Sequence, residues 1–375
     1  ERTLETQVAG VRVRAPMMSI HTVAAGGGSI LYFDGARYRV GPDSAGANPG
    51  PACYRNGGPL TVTDCNVMLG KLKPELFPKV FGPNADQELD TKIVEEKFIA
   101  LAEEISLATK KTVTPNDVAE GYLSIAVQSM ANAIKKISVE RGHDLSDYTL
   151  SCFGGAGGQH ACMVADSLGM KRIYLHPLAG VLSAFGMGLA DTRTINDLAI
   201  ESCLDKELID TLNHNFVNLE LQGKKEMTAQ GLDADKLQYS RRVYLRYQGS
   251  DSALAIQFDD YSALKHSFEK IHKSRFSFIS PEKKIIVESI QSEVSCENER
   301  TESDNSRHSP SKSKAIALHP VTVNGKVQQT PFYVRDDIAS GEGINGPAVI
   351  TEPTSTIIIE PGWQAKIRPD NDIVI

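Results

Sequence analysis

This sequence lacks an apolar run long enough to cross a membrane, since no stretch approaches the roughly 20 residues that a spanning helix needs. Its first residues, ERTLETQVAG, also lack the basic and then apolar order of a secretory leader. None of the six cysteines forms a CxxC pair, which argues against a zinc ribbon and against a disulfide framework. Together these absences predict a cytoplasmic protein with reduced thiols and no membrane segment.

Acidic residues outnumber basic ones. The 375 residues carry a formal net charge of −7, and no basic run or alternation of basic and aromatic residues occurs. The sequence therefore predicts neither nucleic acid nor an acidic lipid surface as a partner. With 41% hydrophobic and 23% charged residues, the composition is that of an ordinary globular protein, and the length predicts two or three domains.

The most distinctive stretch is YTLSCFGGAGGQHACMVADSLGM, residues 148–170. A run of strand-forming residues precedes Gly154-Gly155-Ala156-Gly157-Gly158, and a helix is predicted from His160 to Leu168. Such a glycine turn lets the backbone approach a nucleotide, and the helix start presents unpaired N–H groups. Packing alone also produces such turns, and this one has neither the Lys-Ser/Thr of a P-loop nor the GxGxxG spacing. From the residues alone, both interpretations stay open.

A second glycine-rich loop, Gly26-Gly27-Gly28-Ser29, can bring backbone N–H groups to an anion or a substrate. A tight hairpin is the alternative, because Ile30–Phe33 has the pattern of a strand and Asp34-Gly35 that of a hairpin turn. His21 precedes this loop between apolar residues. Its pattern fits a core histidine as well as a catalytic proton carrier.

Asp64 stands where a strand-like segment gives way to a helix pattern. An aspartate at this junction caps a helix, which the residues favour, but a carboxylate there can also act as a base. We therefore keep Asp64, with His21, as a candidate catalytic residue. The preceding loop, residues 41–54, holds three prolines and three glycines, a composition typical of an ordered loop that covers a site or simply lies at the surface.

Two amphipathic helices are predicted within residues 85–142. The first has an apolar stripe from Ile93 to Ile105, and the second begins at Thr114 with a capping pattern and a proline at its first position. Beyond residue 200, helix and strand patterns follow each other in an order typical of an α+β domain, and the polar residues 296–314 predict a flexible loop. No base stands near Ser183 in the sequence, so a serine hydrolase is not predicted.

Four segments resemble, in the same order, the hydantoinase A/5-oxoprolinase family. They are HTVAAGGGSI, VGPDSAGANPGPACY, FGGAGGQHACMVADSLGM followed by GVLSAFGMGLAD, and GPAVITEPTSTIIIEPGW. The resemblance implies an α/β fold with a ribonuclease-H-like lobe of the actin and sugar-kinase superfamily. This lobe, with its helical insertion, takes residues 1–200, and a carboxy-terminal α+β domain takes residues 201–375.

In that family the two phosphate-binding loops lie upstream of the matched segments, so we expect a carboxy-terminal fragment that holds the nucleoside side of the cleft. The resemblance places Gly154, Gly155, Ala156 and Gly157 against the nucleoside. It places Gln159 and His160 as hydrogen-bond donors into the cleft, and His21 with Gly26, Gly27 and Gly28 along its wall.

The resemblance further implies an enzyme that uses ATP and Mg²⁺ to phosphorylate the carbonyl oxygen of 5-oxoproline or a hydantoin before ring opening. A hydantoinase B-type subunit or domain is the expected partner, a homo-oligomer stays open, and no protein metal ligands are predicted. Ketone carboxylation and a non-catalytic nucleotide-binding module are the alternatives. The fragment by itself is expected to be inactive.

Overall fold

The computed structural model of the protein describes residues 2–8, 11–18, 20–139, 142–298 and 313–375. The described chain divides into two compact units. The first unit combines the residues up to 184 with those from 313 onward, and the second consists of residues 185–298. Among the described residues, no helix is both long and apolar enough to span a bilayer.

The first unit carries most of the secondary structure. Its amino-terminal strands are β1 Arg2–Val8, β2 Val11–Met18, β3 Ser29–Phe33, β4 Tyr38–Ser44, β5 Leu150–Ser151 and β6 Ile173–Leu175. Its helices are α1 Val62–Met68, α2 Thr91–Thr109, α3 Pro115–Ile137 and α4 Ala161–Leu168, and α5 Leu182–Leu189 lies across the boundary between the units.

The second unit is a four-stranded antiparallel sheet with two helices. Its elements are β7 Thr192–Cys203, α6 Lys206–Ala229, β8 Leu237–Tyr247, β9 Leu254–Gln257, α7 Tyr261–Phe276 and β10 Ile285–Cys296, with the strand order β7-β10-β8-β9. Phe216 of α6 and Phe268 of α7 are fully buried in its core. Most of the predicted flexible loop, residues 299–312, lies outside the described residues.

The chain then returns to the first unit. These strands are β11 Ala317–Val323, β12 Lys326–Val334, β13 Gly343–Asn345, β14 Ala348–Thr351, β15 Thr356–Ile359, β16 Gln364–Ile367 and β17 Ile373–Val374. β15 is buried on both faces, which suits its three consecutive isoleucines after Thr356. Ile357 and Ile359 pack in one core, and Ile358 packs in another.

A five-stranded sheet in the order β13-β16-β17-β6-β5 joins distant parts of the chain. β6 pairs in parallel with β5 and antiparallel with β17, and the backbones of Ile173 and Ile375 exchange two hydrogen bonds of 2.9 and 3.0 Å. By spatial proximity the last strands belong to the first unit, and only the segment between them and residue 184 forms the second. The predicted domain boundary at residue 200 stays a prediction.

The predicted helical insertion corresponds to α2 and α3. The predicted start of α3 is confirmed, since Thr114 and Asp117 form a capping box and Pro115 takes the first helical position. Tyr122 of α3 is fully buried and stacks on Tyr38 of β4, with 4.7 Å between ring centroids. This packing fixes α3 against the β3–β4 hairpin, and the carboxy-terminal half of α3 then lies beside the glycine turn.

Candidate functional site

The glycine turn between β5 and α4 is open on one side and packed on the other. Gly154 has a φ of +90°, and a Cβ added to it would meet no atom within 4 Å. A Cβ on Gly155 would lie 3.0 Å from the Thr354 carbonyl oxygen, and one on Gly158 would lie 2.9 Å from that of Thr356. Gly155 and Gly158 therefore permit close packing, whereas Gly154 faces open space.

A cleft of about 620 Å³ lies beside this turn, and we call it the glycine cleft. It is lined by His21, Val23, Ala25, Gly26, Gly27, Met130, Ala133, Ile134, Ile137, Leu150, Ser151, Cys152, Phe153, Ala156, Gly157, His160, Ala161 and Val164. The structure thereby brings together six of the predicted site residues from two separate segments, residues 21–27 and 156–160. The other five, Gly28, Asp64, Gly154, Gly155 and Gln159, do not line it.

The loop Gly26–Ser29 forms one wall of the glycine cleft and also leads into a hairpin, so both sequence interpretations describe it. The amide of Gly26 donates to the Ser29 hydroxyl and that of Ser29 to the Gly26 carbonyl, each at 3.0 Å. A Cβ on Gly27 would lie 2.8 Å from the Thr63 hydroxyl and 3.4 Å from the Ala156 methyl group. Glycine at position 27 therefore lets this loop pack directly against the glycine turn.

His160 is the most buried ionisable side chain of the glycine cleft, with 3% of its surface exposed. Within the described part of the chain, neither of its ring nitrogens has a hydrogen-bond partner. Burial lowers the pKa of His160 from 6.5 to about 4, and the positive charge of Lys71 adds to this effect. The imidazole is therefore neutral at pH 7. His21, in contrast, is exposed at the edge of the cleft.

Asp64 is fully buried as the third residue of α1, where it forms a capping box with Thr61. Its carboxylate accepts hydrogen bonds from the backbone amides of Ala52, Cys53 and Thr61 at 3.1, 2.9 and 2.8 Å, and from the Thr61 hydroxyl at 2.9 Å. These bonds tie the proline-rich loop to α1. The geometry supports the capping alternative for Asp64 rather than the role of a base.

A second cleft of about 300 Å³ lies on the other side of the glycine turn, and we call it the aromatic cleft. It is lined by Tyr54, Thr63, Leu76, Phe77, Pro78, Val80, Phe81, Gly155, Ala156, Gln159, Glu352, Pro353, Thr354, Ser355 and Thr356. Sequence reasoning missed its aromatic wall. The available signal was Tyr54, which ends the proline-rich loop, but nothing local connects it with Phe77 and Phe81.

Residues 341–346, GEGING, do fit the letters of the GxGxxG pattern. However, Gly343 to Asn345 form β13, which pairs antiparallel with β16. A dinucleotide-binding loop instead connects a strand to a helix. This segment is therefore part of a sheet and carries no cofactor loop.

Comparison with protein-family models now identifies the chain. The hydantoinase/oxoprolinase model matches residues 1–196, and the model of the hydantoinase/oxoprolinase C-terminal domain matches residues 201–371. The chain belongs to the hydantoinase/oxoprolinase family, which confirms the resemblance stated above.

The sequences of curated relatives also align with this chain along nearly its whole length. The chain is 34% identical to the 5-oxoprolinase of Dictyostelium discoideum and 37% identical to that of Saccharomyces cerevisiae, covering 100% and 98% of its own length. It is 31% identical to the caprolactamase subunit alpha of Pseudomonas jessenii over 96% of its length. The chain spans only 30% of each 5-oxoprolinase and 52% of the caprolactamase subunit.

Two solved structures share the fold. The ATP-dependent caprolactamase of Pseudomonas jessenii has a TM-score of 0.77 at 30% identity, with 97% of this chain and 53% of that chain covered. A nucleotide-free acetone carboxylase has a TM-score of 0.78 at 20% identity, with 100% of this chain and 55% of that chain covered. These likenesses confirm the expected fold class.

Proposed function

We propose that this chain provides the nucleoside side of the ATP site in an ATP-dependent cyclic amide hydrolase of the 5-oxoprolinase type. The observation that carries the proposal is the glycine cleft, which joins two glycine-rich loops and the helix α3 around one opening. The names of the similar proteins, 5-oxoprolinase and ATP-dependent caprolactamase, support ATP and a cyclic amide as the reactants. The likeness to acetone carboxylase, at 20% identity, supports the fold but not ketone carboxylation.

The glycine cleft suits a nucleoside better than a phosphate chain. Its walls are apolar side chains of α3, such as Met130 and Ile134, together with the exposed backbone of the turn, and a flat base packs well between such surfaces. No lysine, arginine, aspartate or glutamate lines it among the described residues. We therefore infer that the base and ribose bind here and that the phosphates bind elsewhere.

The neutral imidazole of His160 adds no charge to this cleft, and because both of its ring nitrogens are buried we assign it no hydrogen bond to the base. Binding of Mg²⁺ by this chain has no comparable support. No cluster of three or more His, Cys, Asp or Glu residues that could hold a metal occurs in the described ranges. We derive no step through the metal.

The chemistry we propose for the whole protein follows from amide resonance, which makes the carbonyl of a lactam a poor electrophile. Transfer of the γ-phosphoryl group of ATP to that carbonyl oxygen releases ADP and, with loss of the N–H proton, gives an imidate phosphate whose carbon is a better electrophile. One water adds to that carbon, and the C–N bond breaks as the nitrogen takes up a proton. A second water then hydrolyses the acyl phosphate to the carboxylate and inorganic phosphate. The word subunit in the name of the caprolactamase relative supports a companion chain, and we propose a hydantoinase B-type partner. The six free cysteines fit the reducing cytoplasm that we propose as its location.

The proposal is tested by calorimetric titration of the chain with adenosine, AMP and ATP. Because the glycine cleft has no charged lining residue, we expect the three dissociation constants to agree within about tenfold, which corresponds to about 1.4 kcal/mol. An Ala133→Phe substitution fills the cleft and should weaken adenosine binding at least tenfold. Asn132→Phe is the matched control, since it adds the same side chain at an exposed position of the same helix that does not line the cleft.

Two outcomes would contradict the proposal. Adenosine binding that survives Ala133→Phe would place the nucleoside outside the glycine cleft. Binding of ATP more than about 100-fold tighter than adenosine would show that phosphate contacts dominate in this chain. For the enzyme as a whole, ATP turnover without a ring-opened product would favour the nucleotide-binding module instead.

A further inference from the structure

The aromatic cleft shares a wall with the glycine cleft but opens on the opposite side of the turn. Ala156 lines both clefts, whereas Gly155 and Gln159 line only the aromatic one and Gly157 and His160 only the other. A strand-to-helix turn that separates two cavities can place two different ligands close together. The chemistry of the second cavity indicates which ligand it takes.

One wall of the aromatic cleft is a cluster of three rings. The centroids of Tyr54 and Phe81 lie 4.4 Å apart, and those of Phe77 and Phe81 lie 6.4 Å apart. Backbone hydrogen bonds hold the cluster in place: the Gly82 amide donates to the Tyr54 carbonyl at 3.0 Å, and Phe81 and Gln87 pair through two bonds of 3.1 and 3.0 Å. The wall is therefore built before any ligand arrives, and it favours a compact apolar ring.

The opposite wall contains two buried polar groups with unused hydrogen-bonding capacity. Gln159 is 5% exposed, and its Oε1 accepts from Asn66 Nδ2 at 2.8 Å. Its Nε2 donates to no group in the described segments. Thr63 is 9% exposed, and among these residues its hydroxyl forms no hydrogen bond either, although its amide donates to the Gly27 carbonyl at 2.9 Å. Neither atom is among the fully buried unpaired polar atoms of the described chain, so both can be reached by a guest or by water.

The charge balance of the aromatic cleft is also informative. Glu352 is the one charged residue that lines it within the described chain, and its carboxylate is already bound by the Arg335 guanidinium and the Ser355 hydroxyl. Of the residues that the structure describes, none therefore presents a free cation or a free anion to the cavity. This environment favours an uncharged ligand ring, because a charge placed there would lose its water without gaining a partner.

We propose that the aromatic cleft binds the ring of a small cyclic amide, with Gln159 Nε2 donating to the ring carbonyl and the Thr63 hydroxyl accepting from the ring N–H. The inference rests on the proposed function and extends it by assigning residues that recognise the substrate. A volume of about 300 Å³ lies at the lower end of the range for ligand pockets, which suits a ring of five to seven atoms. The cleft recognises the amide and the ring, and a carboxylate on the ring has no cation to bind among the lining residues described.

The test uses 2-pyrrolidinone, ε-caprolactam and 5-oxoproline as probes, with binding to the chain followed by saturation-transfer NMR and calorimetry. We expect 2-pyrrolidinone to bind at least as tightly as 5-oxoproline. Thr63→Val should weaken both about 3- to 10-fold, as expected for the loss of one hydrogen bond between neutral groups. Thr63→Ser keeps the hydroxyl and should restore binding, and Tyr54→Leu should weaken it by removing part of the aromatic wall.

Adenosine titrations of the same variants separate this inference from the proposed function. In one outcome adenosine binds normally, and the lactams either do not bind or bind to Thr63→Val and Tyr54→Leu as tightly as to the unsubstituted chain. The assignment of the aromatic cleft is then wrong, and the proposed function stands. If lactam binding depends on Thr63 but adenosine does not bind to the chain, the proposed function is wrong and the assignment of the aromatic cleft stands. Weakened adenosine binding in Tyr54→Leu would overturn the assignment by placing the nucleoside in this cleft, because Tyr54 does not line the glycine cleft. If Thr63→Val does not fold, Tyr54→Leu and Thr63→Ser decide the question.

Discussion

The buried ion pair between Lys71 and Glu360 offers the sharpest test of how the first unit is held together. Lys71 Nζ lies 2.6 Å from Glu360 Oε1, and the two side chains are only 4% and 11% exposed. Lys71 follows α1, and Glu360 follows β15, so the pair joins segments that are nearly 300 residues apart in the sequence. We predict that Lys71→Met is strongly destabilising, because it leaves the Glu360 carboxylate buried without a positive partner.

The expected loss in the free energy of unfolding follows from the buried Glu360 carboxylate that remains after the substitution. Removing one member of a buried pair costs about 3–5 kcal/mol, because the other charge keeps its desolvation penalty. Methionine retains most of the apolar volume of the lysine stem, so a cavity contributes little. Neutralising both residues in Lys71→Met/Glu360→Gln should recover most of the loss, since no charge is then left buried. The double variant is thus expected within about 1–2 kcal/mol of the unsubstituted chain.

Urea unfolding followed by circular dichroism measures these differences. A second readout is the pKa of His160, followed by NMR of its ring protons. Lys71 helps to hold that pKa near 4, so Lys71→Met should raise it, whereas a merely destabilising substitution elsewhere should leave it unchanged. The reasoning is refuted if the double variant is as unstable as the single one, or if the His160 pKa does not move.

Three further predictions concern the turn and its surroundings. As the pH falls from 6.5 to 4, the unfolded chain binds a proton at His160 before the folded chain does. The free energy of unfolding should therefore fall by up to about 3 kcal/mol. In urea titrations, His160→Gln should lack this part of the pH dependence. Gly158→Ala should lower the melting temperature through a cost of about 1–3 kcal/mol, because its Cβ would lie 2.9 Å from a carbonyl oxygen, and an unchanged temperature would contradict the packing role. Asp64→Asn should cost about 2–4 kcal/mol in chemical denaturation because it disrupts the buried cap, and full stability with lost activity would instead favour a base.

Local patterns predicted much of this fold and part of the site. The capping pattern at Thr114, the strand Ile30–Phe33 and the glycine turn at residues 154–158 each depend on neighbours within a few positions, and all three are present. The candidate residues His21, Gly26, Gly27 and His160 line one cleft, and their role in binding stays a prediction. In each case the signal lies within a single segment or within the motif of the family.

Features that depend on distant residues could not be predicted in this way. The aromatic cleft combines Tyr54 and Phe81, whose contact depends on how a turn-rich connection folds back. The burial of His160 comes from segments on several sides, although its position at a helix start equally permits exposure to solvent. The placement of the last strands beside β6 follows from pairing between segments that no local periodicity relates.

The pairing of β6 with β17 has a consequence for synthesis on the ribosome. Roughly 200 residues separate the two strands, and at about 5–20 residues per second the earlier strand waits some 10–40 s for its neighbour to be made. During that time the edge of β6 that β17 later covers exposes its backbone amides and carbonyls. A nascent chain with such an edge is open to mispairing with another copy, and we expect a holding chaperone to cover it until β17 has left the ribosome.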